Sequence, residues 1–416
     1  MAGLGPWPAA GRVGVAVSGG ADSLCLAWLT AQWGRPFGLI VDHGLRAESA
    51  EEAALTAARL AAFGVQSRVL RLNGLARGPG LAARARAARY AALTAAARDA
   101  GLSDLLLGHH AGDQAETILL REAGHSGETG LSGMAAIFET ASLRLVRPLL
   151  GNPPARLRAT LRQAGLAWVD DPSNRDPSAT RTTLRARIGE PGGDGLVTEA
   201  LLARALAAGR QRAATDAEIA RELATRVSIR PEGFALLSPG PVSPGSLAAL
   251  VRALTGADYP ARGTSLARMA ADPRPGVLAG LRLLPAGHMG PGWLLVREAA
   301  AMSPPVPAAD GIVWDRRFRL TAPGPLPAGC AVGAVGSAAK LLRKASSLPA
   351  CVLQTLPALW LHDSLVAVPH IGYDAGSDHA GISLVFAPPN PASGAPFAPC
   401  DGGAKWQLTP HVDEAR

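Results

Sequence analysis

The sequence predicts an α/β protein, with an N-terminal doubly wound parallel sheet followed by smaller α and α+β domains toward the C-terminus. Three observations carry this. Short apolar runs alternate with helix-length stretches from Val13 to Ala164, the pattern of parallel strands joined by crossover helices. Small and polar residues directly follow the first, second and fourth runs, at the strand ends where open α/β sheets hold their ligands. Beyond about Glu190 the alternation stops, and Pro/Gly stretches such as "SPGPVSPGS" and "MSPPVPAADG" divide shorter elements.

In order, Val13 to Val17 reads as a strand and Asp22 to Trp33 as a helix. A second strand, Phe37 to Val41, precedes a helix from Glu48 to Phe63 that Gly64 stops. Val65 to Leu72 reads as a third strand, and an arginine-studded helix runs from Leu81 to Ala100. Asp104 to Leu107 forms a fourth strand before a helix from Asp113 to Ala123. Leu143 to Leu150 is expected as a fifth strand, followed by a helix from Pro153 to Ala164. The expected domains are 1–215, 216–303 and 304–416, the last ending in a disordered tail rich in Pro and Gly.

The chain has 416 residues, a formal net charge of +8 and only three lysines, so its basic charge is almost all arginine. That balance favours a polyanionic partner, and arginine suits phosphate and base-stacking contacts. Cys25, Cys330, Cys351 and Cys400 lie far apart, which argues against a disulfide framework or a zinc site and for a cytoplasmic setting. The first residues, MAGLGPWPAAG, lack a basic and an apolar region, so no signal peptide is expected. The uncharged run from Leu320 to Ala339 is broken by prolines and glycines, so no membrane partner is expected.

Three polar clusters should face one crevice. The first is "SGGADS", comprising Ser18, Gly19, Gly20, Ala21, Asp22 and Ser23. Its glycines let backbone N–H groups turn toward phosphate oxygens, with a helix N-terminus behind them. It is neither a Walker A loop nor a G-x-G-x-x-G turn. A carboxylate beside a phosphate site needs a bridging cation, so Asp22 points to Mg²⁺. The second cluster, after strand two, is Asp42, His43, Gly44, Leu45 and Arg46. The third, "GHHAGDQAE", places Asp113 and Glu116 three apart on one helical face, as candidates for holding an amine or a metal. Of His109 and His110, alternation predicts that one faces the crevice and the other turns away.

The S-G-G-x-D-S loop resembles the PP-loop ATP pyrophosphatase family, whose Rossmann-like domains cleave ATP to AMP and pyrophosphate. Within that family the later segments are similar to the tRNA(Ile)-lysidine synthetases. These are "VDHGLRAESAEEA" (Val41 to Ala53), "ARAARY" (Ala85 to Tyr90), "GHHAGDQAET" (Gly108 to Thr117), "GLSGM" (Gly130 to Met134), "RPLL" (Arg147 to Leu150) and "WVDDPSNRD" (Trp168 to Asp176). More loosely, "WDRRF" (Trp314 to Phe318) and "LPALWLHDSLVAVP" (Leu356 to Pro369) resemble the family's C-terminal domains. Two positions depart from the family pattern. Gly112 stands where a second acidic or amide residue is usual, and Arg181-Thr182 replaces an arginine–asparagine pair.

The resemblance implies ligation of free lysine to C2 of the wobble cytidine, position 34, of tRNA(Ile) with a CAU anticodon. An adenylated cytidine is the intermediate, and ATP is converted to AMP and pyrophosphate. It further implies ATP binding by Ser18 to Ser23 with His43, and lysine binding by Asp113 and Glu116. Catalysis would rest on Asp22, Asp113 and Glu116. Arg84, Arg86, Arg89, Arg175, Arg181 and Arg185 are the candidate tRNA contacts, and the oligomeric state is left open, a dimer included. Two rivals remain: another PP-loop ligase such as a tRNA thiolation enzyme, which would need cysteines near the site, and a non-catalytic nucleotide- or RNA-binding protein.

Overall fold

The computed structural model describes the chain apart from residues 1–3, 9–11, 45–47, 75–77, 141, 170–179, 377–380 and 401–416, and apart from the side chains of 180 and 181. The chain divides into two compact units, Met1–Ala214 with Ala395–Arg416, and Thr215–Gly394.

In the first unit the alternation expected from the sequence is realised as β1 (Arg12–Val17), α1 (Ala21–Ala31), β2 (Arg35–Asp42), α2 (Ser49–Ala62), β3 (Gln66–Arg71), α3 (Leu81–Asp99), β4 (Asp104–Leu107) and α4 (Ala111–Ala123). A short α5 (Glu128–Leu131) leads to β5 (Ile137–Glu139) and β6 (Arg144–Val146). Then come α6 (Pro154–Gln163), α7 (Thr180–Ile188) and α8 (Leu196–Arg226), whose residues from Thr215 onward belong to the second unit. The sheet order is β3-β2-β1-β4-β6-β5. All neighbours pair parallel except the edge pair β5 and β6. Strand β1 is central and apolar on both faces, as a parallel strand covered by helices must be. Val13, Val15 and Val17 pack with Leu24 and Leu26 of α1, Leu60 of α2 and Leu157 and Leu161 of α6. On the opposite face, Leu93, Ala96 and Ala97 of α3 pack on Leu39, Leu105 and Leu145. From β1 the chain winds outward to β3 and then returns to place β4 on the other side of β1. The ends of β1 and β4 therefore flank the topological switch point, where such sheets open a crevice.

One expected strand differs. Leu143 to Leu150 contributes only the three residues of β6, and the antiparallel partner β5 had no local signal. Pro148, which lacks an amide proton, stands two residues past the end of β6, and residues 148–150 form a turn toward α6.

The second unit is largely antiparallel. Its first sheet, ordered β7-β8-β11-β10-β9, comprises β7 (Val227–Ile229), β8 (Ala235–Leu237), β9 (Gly276–Leu278), β10 (Leu281–Pro285) and β11 (Trp293–Arg297). Leu247, Leu250 and Leu254 of a helix over Pro244–Thr255 pack with Leu281, Leu283 and Leu295 of that sheet. A further five-stranded and a three-stranded sheet complete the unit.

Candidate active site

The loop from Ser18 to Ser23 turns β1 into α1 at the switch point. Gly19 sits at φ +86°, and a Cβ there would collide with the hydroxyl of Thr56 on α2, so the turn needs glycine. Ser18 donates its N–H to Ser23 Oγ (3.0 Å), and Ser23 Oγ donates to the Gly20 carbonyl (3.1 Å). Gly20 is the N-cap of α1, with no side-chain cap, which leaves first-turn N–H groups open to an anion. Gly108, at the end of β4, lies so near that its Cβ would stand 3.0 Å from Ser23 Cα. That close approach brings the first and third polar clusters together.

His110 joins them. It caps α4 by accepting the Asp113 N–H at Nδ1 (3.3 Å), while Asp113 Oδ2 accepts the His110 N–H (3.1 Å). With Nδ1 an acceptor, the proton is left on Nε2, which stands 3.5 Å from Asp22 Oδ2 and 3.6 Å from Asp113 Oδ2. Asp22 Oδ1 is buried and finds no hydrogen-bond partner among the described residues. Burial raises the Asp22 pKa, against the lowering effect of His110. Such an orphaned carboxylate oxygen fits a hard cation. Among the described residues no group of three or more His, Cys, Asp or Glu gathers at metal-ligand spacing. A divalent ion here would take most of its ligands from water and phosphate, as Mg²⁺ does.

Glu116 is 1% exposed and its Oε1 accepts from Nε of Arg185 on α7. Arg185, expected among the phosphate contacts, is thus placed on the carboxylate expected to hold the amine. Gln114, between the two acids, grips Met134 of the "GLSGM" segment through both backbone groups, at 2.7 and 3.1 Å.

The opposite wall is basic. Asp42 Oδ1 accepts from Ser49 Oγ (2.7 Å) and the Gly44 N–H (2.9 Å), which lowers its pKa and shapes the turn carrying His43. Burial, then Arg89, lowers the His43 pKa. Burial pushes His109 down to about 4, with Arg147, Arg86 and Arg89 nearby lowering it and Asp113 raising it. Of the two histidines after β4, His110 faces the crevice through Asp22 and Asp113, and His109 Nδ1 is buried. Arg86 and Arg89 lie over the Tyr90 ring at 5.0 and 5.4 Å, and Arg84 donates to the Pro79 carbonyl near the start of α3. Arg175 and the Arg181 side chain lie outside the described residues.

Sequence reasoning gave two contributors no role, although both lie in segments that resemble the family. Arg147 donates to the Ala135 carbonyl (2.8 Å) and lies against Tyr90. Val169 donates its N–H to the Gly19 carbonyl (3.1 Å), so the "WVDDPSNRD" segment starts on the phosphate loop. A Cβ at Gly112 would meet the His110 ring at 3.0 Å, so that departure from the family pattern bears on the α4 cap. Cys25 is fully buried in the core, and burial pushes its thiol up to about 12.

Residues 5–191 match the PP-loop domain family. A tRNA(Ile)-lysidine synthase of Bradyrhizobium diazoefficiens is 45% identical over 200 residues, covering 46% of this chain and 55% of the relative. One of Rhodopseudomonas palustris is 41% identical over 217 residues, or 50% and 63% of the two chains. The chain thus spans a little over half the length of these two relatives. One of Ruegeria pomeroyi is 34% identical over 385 residues, which cover 88% of this chain and 90% of that one. The chain belongs to the tRNA(Ile)-lysidine synthase family. Its Asp22, Asp113 and Glu116 lie in the PP-loop unit, on the helices that follow β1 and β4 at the switch point of the sheet. Among the described residues no helix is long and apolar enough to cross a membrane.

Proposed function

We propose that this chain ligates free lysine to C2 of cytidine 34 in tRNA(Ile) bearing a CAU anticodon, converting ATP to AMP and pyrophosphate. The observation that carries the reading is His110 Nε2 set within 3.6 Å of both Asp22 and Asp113. This draws the phosphate loop and the amine-binding helix into one crevice.

The C2 oxygen of cytosine is amide-like and does not leave unaided. Its attack on the ATP α-phosphorus forms a C2–O–P link and releases pyrophosphate toward the open N–H groups of α1. A phosphoryl-transfer site acts chiefly by positioning and charge neutralisation, which the loop and the basic wall of His43, Arg86, Arg89 and Arg147 are suited to supply. Asp22 is the residue that would hold Mg²⁺, which when bound neutralises phosphate charge. The ε-amine of lysine then attacks C2, the C2–O bond breaks, and AMP leaves with the former cytidine oxygen. Lysine must first lose a proton. Asp113 and Glu116 are the carboxylates that would bind its ammonium, and either would take that proton. At Glu116 the ammonium meets the Arg185 guanidinium already paired there.

The buried, high-pKa Cys25 favours this reading over a thiolation enzyme, because the nucleophile of such chemistry is a thiolate. Residues 216–303 and 304–416 are the parts taken to grip the tRNA body. The test is incubation with ATP, Mg²⁺, radiolabelled lysine and a tRNA(Ile) transcript bearing CAU. Label should enter the RNA, and should be absent with Asp22→Ala or with cytidine 34 replaced. AMP formed on the RNA without label would move the nucleophile elsewhere. No AMP at all would leave a nucleotide- or RNA-binding protein.

A further inference from the structure

Arg86, Tyr90, Thr94 and Arg98 stand four residues apart along α3, so they form one stripe on the helix. Tyr90 of the stripe packs against the edge of the apolar core under α3, beside Leu93, Ala96 and Ala97, while Arg86 and Arg98 are exposed. It lines one side of a groove of about 610 Å³, whose other side includes Phe138 of β5 and Arg147 after β6. Three arginines line this groove and no carboxylate does. Phe138 is 53% exposed on the edge strand, paired with Leu145 of β6, so it presents a ring to solvent without filling the core.

The groove adjoins the end of β4 that opens the crevice. Arg147, which lines the groove, directly follows β6, the parallel neighbour of β4, and Arg86 lies over Tyr90 within the groove. Where groove and crevice adjoin, His109 Nδ1 and Arg89 Nε are buried with no hydrogen-bond partner among the described residues, so polar atoms there await a ligand. From Arg86 to Arg98 the helix rises about 18 Å, the reach of a short run of nucleotides rather than of a single small molecule.

We propose that this groove is a second RNA subsite, which seats unstacked nucleotides next to the target cytidine. Phe138 stacks on a base, and Arg86 and Arg98 meet the phosphates. A cationic track with an aromatic platform is the way proteins hold single-stranded RNA without reading its sequence. The subsite therefore supplies affinity and leaves base discrimination to other contacts. This rests on the reading above that the substrate is an RNA.

The test uses the full chain with the CAU isoleucine tRNA, both at full length and as its anticodon stem-loop. Phe138→Ala should raise KM for the RNA on the order of ten-fold, leaving KM for ATP and lysine and the thermal melting point unchanged. Phe138→Trp should restore it. Arg98→Ala should reduce the slope of log affinity against log salt by about 0.7, the value for one single-strand phosphate contact. A mere packing role would not move that slope. A photo-crosslinking phenylalanine at position 138 should attach to a nucleotide neighbouring cytidine 34. Unchanged RNA affinity in Phe138→Ala and Arg98→Ala, or crosslinks confined to the acceptor half of full-length tRNA, would overturn the subsite. If the wild-type protein adds no lysine, the proposed activity fails. The same affinities and crosslinks still decide the groove.

Discussion

Asp315 in the second unit and Asp22 in the crevice are both carboxylates with buried oxygens, but among the described residues Asp315 finds hydrogen-bond donors for both oxygens and Asp22 does not. Asp315 accepts from Arg317 Nε (2.7 Å), Arg297 Nε (3.3 Å), the Ser303 N–H (3.0 Å) and Ser303 Oγ (3.1 Å). Burial pushes its pKa up, but the two guanidiniums outweigh this and the net shift is downward. Asp22 is raised by burial and by Asp113, against the lowering effects of His110 and Arg158, and one of its oxygens is unpartnered among the described residues. A carboxylate finished internally holds the fold together, whereas one left unfinished is a place kept for a ligand.

The sharpest way to break this contrast is to neutralise each acid. Asp22→Asn should cut lysine incorporation about 10²–10³-fold, the scale for losing one positioned electrostatic group, while its melting point stays equal or rises. Asp315→Asn should do the reverse and cost about 3 kcal/mol of stability by leaving the buried Arg317 uncompensated, as read from urea unfolding.

The pH dependence of stability should separate the two as well. Asp315 has a folded-state pKa below its unfolded value, so its stabilisation is present above the unfolded value and is lost as pH falls through the folded one. Asp22 has the opposite shift. The folded state holds its proton more tightly, so stability declines as pH rises from the unfolded to the folded value. Urea titrations across the acid range should show a shallower acid limb in Asp315→Asn and less decline toward neutrality in Asp22→Asn.

A smaller effect is expected at the link between the two crevice acids. His110→Ala removes the α4 cap, at about 1 kcal/mol. Because His110 lowers the Asp22 pKa, the acid limb of the activity profile should also move to higher pH. An unmoved limb would mean that the histidine only caps the helix. Smallest is the response of Cys25. With its pKa near 12 and no exposure, it should resist iodoacetamide in the native protein and react only after unfolding.

Much of the crevice was legible because local chemistry dictates it. A strand, two glycines, a serine and an acid specify the loop, and Asp113 with Glu116 is read from spacing alone. Other features depend on long-range packing, which leaves no local mark. The three residues of β5 are defined only by pairing with β6. Arg185 looks like any solvated arginine until α7 brings it to Glu116. Tyr90, Phe138 and Arg147 come from three separate elements, and only the fold places them in one groove.

The most direct measurement is the ratio of AMP released to lysine bound on the CAU transcript, for wild type and Asp22→Asn with their melting points alongside. The account predicts one AMP per lysine in wild type, and neither product from a variant that melts no lower. AMP without RNA-bound lysine, or full turnover by the Asp22→Asn protein, would contradict it.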